Sequence, residues 1–196
     1  MVRQSGSWLA LLNHRREPLP KRSHEPTVFV YHDRLTRHVL SDTHVFKPSR
    51  LRDTYNLLNS FGAFDLDNAK LTEPRQVAVN ELRSFHTAEY IDAVAALAHG
   101  RRISDATKYG FSEGGDNPVY ANMYDSALWT TGASLTATEE LLGTRCAVAV
   151  NFSGGLHHAM PNYAAGFCVF DDPVVAIKRM TNAGARIAYV DIDCHH

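Results

Sequence analysis

Three stretches near the C-terminal end, RCAVAVNF (145–152), DDPVVAIKRMTNAG (171–184) and RIAYVDID (186–193), constrain the fold more than anything else in the chain. The first and third are nearly continuous apolar runs, the pattern of parallel strands covered on both faces. The middle stretch has Asp171 or Asp172 as N-cap, a proline close behind, an apolar stripe and Gly184 as a stop, which is a helix with both ends signalled. Strand, helix, strand is a βαβ unit, so the sheet is parallel at this point and its crossover right-handed. The fold class that follows is α/β.

Sites in open α/β sheets form beyond the carboxyl ends of the strands. His157 and His158 follow the first strand after Ser-Gly-Gly, while Asp191, Asp193 and His195 run off the end of the second. Both groups therefore belong at one edge of one sheet. Alternation on the second strand puts Asp191, Asp193 and His195 on one side, and Ile192, Cys194 and His196 on the other. Cys194 is accordingly expected to be a packing residue.

Asp193 and His195 offer a carboxylate oxygen and an imidazole nitrogen to one cation, and zinc accepts both at about 2.0–2.2 Å. A catalytic zinc takes three protein ligands, so the third must come from elsewhere. The same Asp-x-His can also be a hydrogen-bonded structural pair, and His157-His158 a helix cap beside a surface histidine. Two carboxylates on an apolar strand favour the functional reading, because burying unpartnered charge costs several kcal/mol per group.

The rest of the 196 residues sets the context. Charged content of 21% and a net charge of −1 give no electrostatic case for nucleic acid or an anionic membrane surface. Three cysteines without CxxC spacing fit reduced, mostly buried thiols in a cytoplasmic protein. No apolar run approaches the roughly 18–20 residues that span a bilayer. Proline and charge crowd the first residues, so 1–26 reads as a flexible leader and 27–196 as one domain. Within it, a strand is expected over 27–32 and a helix over 49–60. A second helix is capped by Thr87 and stopped at Gly100, and a long third one ends at Gly143. The Gly- and Asp-rich loop over 104–118 is expected to lie outside the core.

NFSGGLHHAMPNYAAGFCVFDD followed by AYVDIDCHH closely resembles the core of the zinc-dependent histone deacetylase family, including its acetoin-utilisation and acetylpolyamine-deacetylase members. KPSRLRDTYNLL, SFHTAEYIDAV and DNPVYANMYDSA extend the resemblance upstream to about Val28. It implies a three-layer fold shared with arginases, with a central, mostly parallel sheet that this chain leaves incomplete towards the C-terminus. It implies one catalytic Zn2+ on Asp193 and His195, with a structural monovalent cation near Asp191 and Asp193. By the same resemblance His158 is the general base and acid, and His157 an electrostatic partner tuned by Asp191. Phe167 becomes a wall of the acyl-lysine channel beside Gly166, Asp116 a rim residue gripping the substrate backbone, and Arg50 a buried arginine near the acetate exit. The implied substrate is an acetylated lysine side chain or an acetylpolyamine; no contact with nucleic acid or membrane is expected, and oligomeric state stays open.

Family members continue His-His-Gly-Asp-Gly and carry a later aspartate ligand and an oxyanion tyrosine, none of which can be placed here. The expectation is an incomplete deacetylase, inactive as 196 residues and holding zinc weakly. The alternatives are a non-catalytic remnant that serves as a binding module, and a two-manganese ureohydrolase, against which Ser-Gly-Gly-Leu-His-His argues.

Overall fold

A computed structural model describes residues 25–195. The proposed leader falls almost wholly outside the described residues, as does His196. Three parallel strands, β1 (Thr27–Val30), β2 (Ala69–Thr72) and β3 (Val148–Val150), form a sheet in the order β2-β1-β3. Thr27 pairs with Ala69 on one side and with Val148 on the other. The central strand is the most buried, with Val28, Phe29 and Val30 all out of solvent.

Among the described residues there are five α-helices: α1 (Ser49–Ser60), α2 (Val79–Leu82), α3 (Ala88–Ala98), α4 (Met123–Leu142), which packs on the sheet, and α5 (Asp172–Asn182). Thr87 caps α3 by accepting from the Tyr90 N–H at 3.3 Å, and Asp171 caps α5 by accepting from the Val174 N–H at 2.8 Å. The bounds of α3 and α5 follow the capping and stop signals of the sequence, and α1 occupies the expected 49–60.

α4 is the structural axis. One apolar cluster lies between α3, α4 and α5, with Tyr90, Leu135 and Phe170 at its centre, and a second joins β1 to α1 and to Ala133 and Ala137 of α4. A helix buried on several sides needs small residues where other backbone crosses it. At Gly132 a Cβ would collide with the Arg75 carbonyl, and the Val77 N–H donates to the Leu128 carbonyl at 3.1 Å in the same crossing.

Three expectations need correction. β3 is shorter than 145–152, and it is not covered on both faces, since Val148 is 50% exposed. Residues 186–193 form no strand: among the described residues they have no ladder partner, and Val190 and Ile192 are 63% and 64% exposed. An apolar run becomes a strand only where a neighbour takes its N–H and C=O groups, so the βαβ unit stops at its helix. Finally, the loop over 104–118 is not outside the core. Phe111 is fully buried beside Tyr90 and Phe170, because the Gly110 turn lies against Ala164 and the Ala164 N–H donates to the Tyr109 carbonyl at 2.9 Å.

Candidate metal and acid–base site

The loop leaving β3 carries His157 and His158, and its shape is set from outside. Asp172 is buried in the first turn of α5, and its carboxylate accepts from the Leu156 N–H at 2.8 Å, from the Gly155 N–H at 3.1 Å and from the Ser134 hydroxyl. Asn151 donates to the Ser134 Oγ at 2.9 Å and accepts from the N–H and the hydroxyl of Ser153. Gly155 sits at φ +83°, where a side chain would be strained.

The two imidazoles that follow lie with ring centroids 4.2 Å apart. His157 donates from Nδ1 to the Asp191 carboxylate, the contact that joins the two histidine-bearing stretches. Asp191 also accepts from the Tyr189 hydroxyl at 2.5 Å and from the Asp193 N–H at 3.0 Å. Burial pushes Asp191 up, but Tyr189, the Asp193 N–H and His157 outweigh it and hold the carboxyl below its ordinary range. His158 is lowered, first by burial and then by the neighbouring His157. A lowered pKa favours the neutral form, in which a histidine accepts a proton.

Behind His158 the backbone of Gly166 packs so closely that a Cβ there would run into the imidazole ring. Phe167 has a left-handed φ of +72°, and its ring meets His44 edge-on with centroids 4.6 Å apart. Arg50 reaches the same neighbourhood from α1. Its guanidinium donates to the Phe152 carbonyl at 3.1 Å and lies 5.4 Å over the Phe46 ring, and burial lowers its pKa. Asp116 does not join this assembly; it is exposed on the loop before α4.

Asp193 and His195 do come together. The Asp193 carboxylate accepts from the His195 N–H at 2.7 Å and from its Nδ1 at 2.6 Å, and the first of these bonds leads in lowering the Asp193 pKa. The His195 ring lies 6.4 Å from that of His158, so the Asp193–His195 pair and His158 share one side of the site. Cys194 corrects the parity argument. Without a strand there is no alternation, and its thiol is exposed, 3.7 Å from the His195 Nδ1, rather than packed away. Donor atoms of Asp193, Cys194 and His195 all lie within 4.8 Å of one another. Carboxylate and imidazole fit a divalent cation of zinc's type, although two ligands on one ion stand ~3.4 Å apart and this pair would have to open.

Sequence reasoning took Asp172 only as an alternative N-cap and passed over Tyr189 and His86. His86 is buried, donates from Nδ1 to the Met160 carbonyl at 3.1 Å, and accepts the Asp171 N–H on Nε2 at 3.0 Å. The readable signal was the Asp171-Asp172 doublet, since a helix needs only one capping carboxylate.

Among known proteins, the model of the histone deacetylase domain matches residues 44–196. The acetoin utilization protein AcuC of Bacillus subtilis is 34% identical over 172 residues, which cover 87% of this chain and 44% of that protein. Histone deacetylase 8 of Danio rerio is 32% identical over 149 residues, covering 76% of this chain and 39% of that one. The crystal structure of a histone deacetylase homologue from Aquifex aeolicus superposes with a TM-score of 0.72 at 27% identity, over 82% of this chain and 42% of its own. The chain thus spans less than half the length of these relatives. Its helix-flanked parallel sheet and its Gly-Gly-Leu-His-His loop agree with that match, and the chain belongs to the histone deacetylase family.

Proposed function

We propose that this chain supplies the acid–base machinery and part of the metal site of a zinc-dependent deacetylase, which hydrolyses N-acetyl amides of lysine side chains or polyamines. The observation that carries this reading is the His157–Asp191 contact, which places His158 and the Asp193–His195 pair at one site.

Asp191 holds His157 in one tautomer and one ring orientation. His158 takes the proton of the attacking water as the new C–O bond forms, then returns it to the amine as the C–N bond breaks. General acid–base work of this kind is worth about 10²–10⁴-fold. Asp193 and His195 would hold the zinc, which when bound polarises an amide carbonyl and acidifies water. Gly166, close against His158, and Phe167, whose ring packs on His44, would line an apolar wall suited to the methylene stem of an acyl-lysine. Arg50, half-buried against Phe152 and Phe46, is a positive charge suited to a carboxylate product. Asp116, exposed on its loop, suits a backbone amide or an amine at the rim.

Zinc titration into residues 1–196, followed by NMR, tests the metal half. Weak, saturable shifts are expected at the His195 ring, lost in Asp193→Ala, with an acetyl-lysine peptide left uncleaved. Tight stoichiometric zinc with turnover overturns the two-ligand reading, and the absence of any shift at His195 overturns the metal site itself.

A further inference from the structure

Asp172 is 1% exposed, yet it does not cap the helix it starts, because Asp171 already does. A carboxylate so deeply buried costs several kcal/mol unless donors surround it, and an apolar residue would pack the first turn of α5 more cheaply. Its donors are specific. Two are the N–H groups of Gly155 and Leu156, the two residues immediately before His157, and the third is the Ser134 hydroxyl from α4. Gly154 has no side chain because a Cβ would strike the Asp172 carboxylate, the Ser134 hydroxyl and the Asn151 amide together.

On the far side of the histidines the loop is tied again. His86 binds the Met160 carbonyl and the Asp171 N–H, and the Thr87 N–H donates to the Pro161 carbonyl at 2.8 Å. The histidine pair thus spans two fixed points, both anchored at the start of α5. Among the described residues, the His157 side chain hydrogen-bonds Asp191, on a segment with no ladder of its own. Placement of the pair therefore comes from the α5 side.

We propose that Asp172 is a positioning residue for His157 and His158: its buried carboxylate fixes the Gly155–Leu156 backbone so that the His157 ring meets Asp191 and His158 faces the metal-type pair. The positioning stands on the structure alone; calling the pair catalytic rests on the deacetylase reading.

The test uses residues 1–196 and neither substrate nor metal. NMR follows the His157 Nδ1–H proton, bonded to Asp191, and the amide exchange of Gly155 and Leu156. Met180→Ala, a buried truncation on the same helix, serves as a control matched in stability by temperature. Asp172→Ala is expected to lose the His157 resonance and to speed exchange at Gly155 and Leu156 by roughly tenfold, the worth of about one hydrogen bond, with Met180→Ala showing neither. Asp172→Asn keeps one acceptor and falls between. Ser134→Ala leaves both backbone donors satisfied and moves the signals least. If Asp172→Ala does not fold, Asp172→Asn carries the result. A folded Asp172 variant that keeps the His157 signal and slow exchange, or one that merely matches Met180→Ala, overturns the proposal. Such a failure leaves the deacetylase reading standing, and failure of the zinc titration leaves this one standing.

Discussion

The two halves of the site are built differently. Around His157 and His158, hydrogen bonds join residues far apart in sequence: Asp172 to Gly155 and Leu156, Asn151 to Ser134, His86 to Met160 and Asp171. Around Asp191, Asp193 and His195 they join residues two apart: Tyr189 to Asp191, Asp193 to Asp191, His195 to Asp193. Bonds of the second kind can survive in many placements of the segment and so fix none of them. The His157–Asp191 contact is what transfers order from one half to the other. The histidine half is thus held by buried hydrogen bonds, and among the described residues the Asp193–His195 half is tied to it through Asp191.

The sharpest way to break this contrast is to weaken the packing beneath the ordered half. Phe111 is fully buried with Tyr90 and Phe170, on a loop whose Tyr109 carbonyl receives the Ala164 N–H. Phe111→Ala is expected to cost about 3–5 kcal/mol, the range for a buried phenylalanine truncated to a cavity. Urea denaturation measures it. A loss below about 1 kcal/mol would mean the loop does not support the histidine region in solution.

Next in size is a pH effect centred on His86. Burial depresses its pKa from 6.5 to about 4, and its bonds to the Met160 and Pro161 carbonyls only partly offset this. A depressed histidine is neutral in the fold, so its contribution is complete above pH 6.5. It is lost as pH falls towards 4, where the unfolded chain already holds the proton. A fall from 6.5 to about 4 corresponds to about 3 kcal/mol. Asp171, pushed up to about 7 chiefly by burial, works in the opposite sense and gains stability over the same interval. The comparison is therefore between wild type and His86→Gln, both of which keep Asp171. The advantage of wild type should shrink by about 3 kcal/mol between pH 7 and pH 4, read from denaturation midpoints at each pH. A constant difference would remove His86 from the clamp.

The contrast also explains what the sequence could reveal. Caps and stops are local chemistry, so Thr87, Asp171 and Gly143 marked helix ends that the structure reproduces. The meeting of His157 with Asp191 was legible because both follow apolar runs on either side of α5, although the second run forms no strand. Strand formation over 186–193 was not, because an apolar run does not say whether a neighbour is present to pair with it. The same gap misplaced Cys194, whose expected burial depended on that strand. Phe111 and Asp172 were hidden for another reason: a Gly-rich loop and a doublet of acids look like surface, and only the packing against Ala164 and Ser134 shows them buried.

The smallest expected effect tests the less ordered half directly. Ile192 lies between the two carboxylates Asp191 and Asp193, is 64% exposed, and belongs to no strand. In a strand buried on both faces, a lysine there would place a charge among apolar side chains at a cost of several kcal/mol. In the exposed segment the same change falls within about 0.5 kcal/mol, as surface substitutions do. Ile192→Lys should therefore leave the urea midpoint nearly unmoved, and it should leave the His157 Nδ1–H resonance in place, because Asp191 keeps Tyr189 and the Asp193 N–H as partners. A loss above about 1 kcal/mol would show that 186–193 is packed in solution, and the difference between the two halves of the site would close.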